Sequence, residues 1–379
     1  MLRVKIIGER TNRLFMRILF LTPYVPSDRA GGEKFTRLLL EDLSRENQVD
    51  LVYYKYSFDK DYVSPNKNIR VLMVCKNSTA VKLWNSAKYP LLHPTFTIRF
   101  SYRLLRFLKK IWKSNAYDLL YLDHSQMLLY GKFFPEAKKI LMSHDVMAER
   151  YGHKENLNAK IVRYSEGCLM RMPNLTIFTF SEKDVGIVKS AYGLEAKHTN
   201  FYLDNSIVKA VPKKVENVYV FFGKWKRPDN FDGLKWFFDT VYPSRPKSEL
   251  FRIIGIGLPK EFSDYIKTLP NVQYLGFVDN PYEIIANSRA VISPIFSGAG
   301  VKVKVVESLA CGTPVIGNEL AFEGISQEFS SFMKKAKTEA DYGKVMNSLL
   351  NDCEERIKFK KLFFEKYQSQ SIPVFLKEL

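Results

Sequence analysis

Two hydrophobic rhythms alternate along the chain. Short apolar runs of the kind buried in parallel sheets are followed by polar loops containing glycine or proline. Stretches with apolar residues at helical spacing come next. The first series predicts strands over Arg17–Thr22, Val49–Tyr54, Ile69–Cys75, Tyr117–Leu122, Lys139–Met142 and Leu175–Phe180. Between the first two, a loop from Pro23 to Glu33 contains Gly31-Gly32, and a helix runs over Phe35, Leu38, Leu39 and Leu43. Ser181 is placed to cap a helix, with Asp184 three residues on. A second series predicts strands over Val218–Phe222, Leu250–Ile256, Val272–Gly276, Ala290–Ile295 and Val315–Ile316, with a helix over Phe231–Val241. Strand, glycine loop, helix, strand is the opening of a doubly wound sheet, so the pattern predicts an α/β protein of two Rossmann-like halves around one cleft.

Residues 204–217 are polar, basic and Pro-containing and are read as the linker, giving domains over 16–205 and 206–357. Met16 begins the first unit cleanly, so residues 1–15 are expected to be an extension or an over-called start.

The most informative stretch is 291–325. Its apolar run ends at Ser293-Pro294, Gly298 and Gly300 open a turn, and a helix is expected from Val301, carrying Lys304 and Glu307 three apart. Cys311-Gly312-Thr313-Pro314 ends that helix. A glycine turn at a helix N-terminus is a phosphate seat, so the segment reads as half of a nucleotide-binding domain.

Other segments admit two readings each. Gly31-Gly32 either admits a ligand to the sheet edge or is an ordinary turn. His144-Asp145 follows a strand end, where α/β folds bind ligands; His144 is a base or donor, or Asp145 is a cap with an incidental neighbour. Gly223, Lys224, Lys226 and Arg227 follow another strand and suit a diphosphate or a solvated basic loop. Gly255 and Gly257 form one wall of a pocket or simply turn the chain. His93, His124, His153 and His198 stand in less suggestive contexts. Residues 98–113 set Phe100, Leu104, Phe107, Leu108 and Ile111 on one helical face and six cations on the others. They are either a segment for an anionic membrane surface or a domain helix with its apolar face in the core.

Composition narrows the classes. Net charge is +18. Residues 1–200 hold 33 Lys/Arg against 19 Asp/Glu, so +14 of it sits in the N-terminal half. Such asymmetry points to anionic partners. No helix-turn-helix, RRM or zinc pattern accompanies it, so no nucleic-acid partner is expected. Cys75, Cys168, Cys311 and Cys353 are widely spaced, which argues against a zinc ribbon or disulfide framework and for a reducing, cytoplasmic setting. No run is long enough to span a membrane, and the charged N-terminus is not a secretory signal. Without HExxH or paired His/Cys spacing, and with only a loose DxD imitation at Tyr121-Leu122-Asp123-His124, no metal set is expected.

At this point a family comes into view. RILFLTPYVPS with GGE, SHDVMAERY at 143–151, FTFSEKD at 178–184, FGKWKRPDNFDGLKWF at 222–237 and GVKVKVVESLACGTPVIGNELAFEG at 300–324 resemble the group 1 (family 4) glycosyltransferases of the GT-B fold. The resemblance covers nearly all of 16–379, and the last motif looks like the subgroup G-x-x-x-K-x-x-E-x-x-A-x-G-x-P-V. It implies retaining, metal-independent transfer from a UDP- or GDP-sugar to a glycan or lipid-linked acceptor of surface polysaccharide, lipopolysaccharide or capsule. No cofactor is implied, and the setting is cytoplasmic, peripheral to the membrane. By position, His144, Lys304 and Glu307 would be catalytic: Glu307 on the ribose, Lys304 with Lys224 or Arg227 on the diphosphate, His144 beside the transferred sugar. Gly31, Gly32, Gly223, Gly255, Gly257, Gly298, Gly300 and Val301 would line the donor, and residues 358–379 would form a helix crossing back to the first domain. Ala299 stands where many relatives carry the first glutamate of a Glu-x7-Glu motif. That departure keeps open an alternative, a non-catalytic nucleotide-sugar-binding scaffold of the same fold.

Overall fold

The computed structural model describes residues 16–29, 31–152, 156–298, 300–349, 352–367 and 372–376. The expected extension 1–15 and Ala299 lie outside them. The chain divides into two units, Met1–Met147 with Lys154–Phe178, and Ala148–His153 with Thr179–Leu379.

The first sheet is built from β1 (Arg17–Thr22), β2 (Gln48–Tyr54), β3 (Ile69–Cys75), β4 (Leu119–Asp123), β5 (Lys139–Met142), β6 (Leu175–Thr179) and β7 (Lys197–His198), in the order β3-β2-β1-β4-β5-β6-β7. Pairings from β3 through β6 are parallel. The second sheet uses β8 (Val218–Phe222), β9 (Leu250–Ile254), β10 (Val272–Gly276), β11 (Ala290–Ile292), β12 (Val315–Gly317) and β13 (Met333–Lys335), all parallel, in the order β10-β9-β8-β11-β12-β13. Counted from its own first strand, each sheet winds 3-2-1-4-5-6, the doubly wound order, and the first adds β7 as a seventh strand beyond β6.

Burial on both faces explains the unbroken apolar runs. In β8, Val218 and Val220 enter the core on one face of the sheet, and Tyr219 and Phe221 enter the core on the other. In the first sheet Phe20 and Tyr121 are register partners, and their rings stack at 4.3 Å.

Several boundaries move for local reasons. Gly31 and Gly32 are the first residues of helix Gly31–Glu46 rather than part of the preceding loop. The helix expected over 231–241 starts at Pro228, whose fixed φ suits a first turn, and passes at Phe237–Val241 into a wider helical turn. The helix expected from Val301 begins at Val303. Ser181 caps its helix as expected, accepting from the Asp184 amide at 3.0 Å.

The basic run 98–113 is not one helix. Ile98 closes helix Pro94–Thr97, and Ser101 caps helix Tyr102–Ser114. Phe100, Leu104 and Leu108 are buried, so the apolar stripe faces the core. Of the segment expected to cross back, 368–371 and 377–379 lie outside the described residues, and helix Ile372–Leu376 sets Phe375 against Lys197 of β7 in the first sheet. The long helix before it, Cys353–Tyr367, begins before 358 and packs within the second unit. Phe359, Phe363 and Tyr367 enter its core, and Arg356 donates to the Ser288 and Arg289 carbonyls at 2.7 Å each.

Candidate functional site

In doubly wound sheets, ligands gather beyond the carboxyl ends of the strands where the winding reverses. That point lies between β8 and β11 in the second sheet and between β1 and β4 in the first.

In the second unit, two helices start at this point. Helix Pro228–Trp236 follows β8, and helix Val303–Ala310 follows the glycine turn after β11. Neither N-cap residue, Arg227 or Lys302, caps its helix with a side-chain hydrogen bond. Lys304 Nζ joins the two first turns by donating to Asn230 Oδ1 at 2.9 Å. Two positive helix ends and a cation thus converge, an arrangement suited to an anion.

The Lys304 ammonium is enclosed, although the side chain as a whole is only partly buried. Desolvation is the main reason its pKa falls to about 7; Arg227 and Lys302 lower it further, against the pull of Asp229. Arg227 is tied to Asp229 through Nε at 3.0 Å and a terminal nitrogen at 2.7 Å, so a carboxylate already offsets its charge. Lys224 stands in the same loop, and its carbonyl accepts from the Asn230 amide at 3.0 Å.

One turn beyond Lys304, buried Glu307 accepts from the Tyr282 hydroxyl at 3.0 Å. Burial, and then the Glu307 charge, push that phenol far above its ordinary value. A carboxylate held this way is set to receive hydroxyl donors.

The glycines divide by role. Gly255 has φ +122°, and a Cβ on it would lie 1.8 Å from the Gly223 carbonyl oxygen, so two strand ends meet backbone to backbone. A Cβ on Gly257 would strike Lys226. These three glycines shape the floor beneath the loop. Gly298 has φ +100°, and a Cβ there would come within 3.7 Å of Asp229. Gly300 (φ +77°) offers its carbonyl to Lys302 Nζ at 2.5 Å. Val301 packs against the core that holds Val305 and Leu309. Lys302 also reaches Glu323, which pairs with Lys183, and Lys183 in turn pairs with Glu149.

In the first unit, the switch point is occupied by Asp123. Its fully buried carboxylate accepts from Thr22 Oγ1 at 2.7 Å, Thr36 Oγ1 at 2.8 Å and His144 Nε2 at 2.7 Å. Burial alone would raise its pKa, but the neighbouring imidazoles and hydroxyl hold it below the usual carboxylate range. An ionised Asp123 requires the proton on His144 Nε2. His144 Nδ1 would lie 3.0 Å from a Cβ on Gly32, so the missing side chain lets the ring reach the helix start.

His124, passed over in the sequence, stacks on His144 at 3.5 Å and has φ 63°, ψ 148°, a conformation costly for any residue but glycine. Among the described residues, Asp123, His124 and His144 form one group whose ligand atoms lie within 4.8 Å, where no metal set was expected. The rings are only 10° from parallel, so their in-plane lone pairs do not converge, and both carboxylate oxygens are engaged. The group is arranged as a hydrogen-bonded relay rather than as a set of ligands.

In one unit Lys304 thus meets Asn230, which also holds the Lys224 carbonyl, with Glu307 one turn away on Tyr282 and Gly298 beside Asp229; in the other, His144 meets Gly32. Sequence reasoning missed Asn230, Tyr282, Thr22 and Thr36 as partners. In the sequence Asp123-His124 reads only as a loose DxD imitation, although an acid and a base at a strand end is the signal that could have found the pair.

Residues 216–352 match the family described as Glycosyl transferases group 1. No curated protein matches in sequence. Among solved structures, Anabaena Alr3699/HepE in complex with UDP is 16% identical, covering 96% of this chain and 100% of its own, with a TM-score of 0.66. Sucrose-phosphate synthase from Thermosynechococcus elongatus is 11% identical over 96% and 97%, with a TM-score of 0.63. WaaG, a glycosyltransferase involved in lipopolysaccharide biosynthesis, is 13% identical over 95% and 98%, with a TM-score of 0.62. The chain therefore has the GT-B fold, with a second unit that matches the group 1 glycosyl transferases.

Proposed function

We propose that the protein is a retaining glycosyltransferase moving a sugar from a UDP- or GDP-sugar to a glycan or lipid-linked acceptor, in surface polysaccharide, lipopolysaccharide or capsule synthesis. The observation that carries this reading is the joining of two uncapped helix starts by Lys304, with Glu307 one turn away. The family match over 216–352 supports it, as does the likeness to HepE, solved with UDP and with UDP-glucose.

Departure of a nucleoside diphosphate develops negative charge on phosphate oxygens. Lys304, Lys224 and the helix amides stabilise that charge in the transition state, the part a divalent cation plays elsewhere. Glu307 accepts the ribose hydroxyls. The bond from the anomeric carbon to phosphate breaks, the acceptor oxygen takes its place on the same face, and the acceptor proton passes to the leaving phosphate. His144, fixed by Asp123, serves a sugar hydroxyl through Nδ1.

The direct test is binding and turnover with UDP-, GDP- and ADP-sugars in EDTA. Selective binding with slow release of one nucleotide is expected. Binding of one nucleotide-sugar without turnover on any acceptor would turn the reading towards the scaffold alternative, and no binding at all would sink both.

A pH dependence follows from Lys304. A diphosphate favours the charged ammonium, so binding takes up a proton wherever the free lysine is neutral. The apparent Kd for UDP-glucose is expected to rise about tenfold per unit above pH 7 and to level off below it. Titration calorimetry in buffers of different ionisation enthalpy would report the proton directly. A Kd that is flat between pH 6 and 9 would contradict the assignment.

A further inference from the structure

Helix Thr79–Lys88 is built inside out. Ser78 caps it, accepting from the Val81 amide, so it is a properly started helix. Its one buried residue is polar: Asn85, whose amide donates to the Thr97 and Phe100 carbonyls at 3.0 and 2.6 Å. Ala80, Leu83, Trp84 and Ala87, at the i, i+3, i+4, i+7 spacing of an apolar stripe, all face solvent. Leu83 is 68% exposed, Trp84 66%, and nearby Leu91 72%. Exposed Lys88 borders the stripe beside Trp84 by helical position, while half-buried Lys82 lies towards the Asn85 side. The helix is held at its C-terminal end, where Tyr89 meets the Tyr102 hydroxyl at 2.8 Å and Lys88 lies over the Tyr102 ring.

We propose that this stripe docks the protein on an anionic bilayer surface, with Leu83 and Trp84 entering the headgroup boundary and Lys88 with the exposed cations of the surrounding span pairing with phosphates. Charge selects the occupant. From residue 62 to residue 117 the chain contains no Asp or Glu and 11 Lys or Arg. Exposed Lys76, Lys88, Arg103, Arg106, Lys109, Lys110 and Lys113 belong to this span. An amphipathic helix with apolar anchors and flanking lysines binds anionic lipid interfaces. A second copy would bring two such cationic faces together, and two large apolar side chains fall well short of a stable dimer interface. The helix 102–114 contributes only its basic face, because its apolar stripe is packed inward. The assignment does not depend on the transfer reaction.

Co-sedimentation of the full chain tests it, using vesicles of phosphatidylcholine alone or with about one-third phosphatidylglycerol. Binding to the anionic vesicles only, weakened by salt, is the expected result. In the Leu83→Asp/Trp84→Asp double variant the partition coefficient is expected to fall at least tenfold, with UDP-glucose binding unchanged. Trp84→Phe should still bind but lose the vesicle-induced blue shift in tryptophan emission. Absence of binding to anionic vesicles, equal binding to both compositions, or unchanged binding by the double variant would each overturn the proposal. So would a concentration-dependent dimer that the double variant abolishes, which would assign the stripe to a second copy.

Discussion

Replacing Lys304 by methionine is expected to lower sugar transfer by about 10²–10³-fold while raising stability at neutral pH. On the proposed reaction, the loss follows from removing a cation set against the developing charge of a leaving diphosphate. Methionine keeps the length and fills the space, so the Asn230 contact and the anion's partner are what is lost. The stability gain comes from the same environment. Enclosure brings the ammonium down to about 7, against about 10.5 in an unfolded chain. Between those values the unfolded state binds the extra proton, so this residue makes the wild type more stable as pH rises from about 7 towards 10. Below pH 7 its full penalty remains. Thermal unfolding of both proteins at pH 7 and 9.5 should show the variant ahead at the lower pH and the gap closing at the higher. Retention of turnover within tenfold would remove Lys304 from the phosphate role.

Asp123→Asn is expected to cost about 3 kcal/mol of stability and most of the activity, because a buried acceptor of three hydrogen bonds becomes half donor. An amide can still accept from Thr22 or Thr36. Its NH2 facing His144 Nε2, however, would draw the opposite tautomer, moving the proton to Nδ1 on the Gly32 side. Urea unfolding measures the first effect. The second appears as a kcat loss that persists at temperatures where the variant is fully folded. A variant of lowered stability with normal kcat would make Asp123 purely structural. Since the folded-state pKa lies below the usual range, the carboxylate's contribution is present above about pH 4 and is lost only as pH falls through that depressed value.

The second-unit site was largely legible in the sequence because its residues sit on two strand–loop–helix segments. Lys304 and Glu307 share one helix, and glycines mark the turn before it. Local spacing determines such geometry. Asn230 and Tyr282 were not legible as partners, since helix starts distant in the chain bring them to Lys304 and Glu307. The first-unit network was still less so: Thr22 and Asp123 are 101 residues apart and meet because β1 and β4 are neighbours at the switch point.

The two basic helices show the limit most plainly. Periodicity gave residues 98–113 an apolar face, which helix Tyr102–Ser114 keeps from Leu104 onward, but not the break before Tyr102 nor whether core or solvent would cover it. In helix Thr79–Lys88 an equally regular stripe faces outward, because Asn85 spends its amide on two inward carbonyls. The sequence by itself determined eleven of the strands, the doubly wound α/β pattern and the Lys304–Glu307 helix, since buried parallel strands and single turns are set by neighbours in the chain. It did not reveal the short strands β7 and β13. Only the tertiary structure decided which cations are neutralised, which histidine is fixed and which apolar face is left uncovered, because those depend on groups that become neighbours only when the sheets wind.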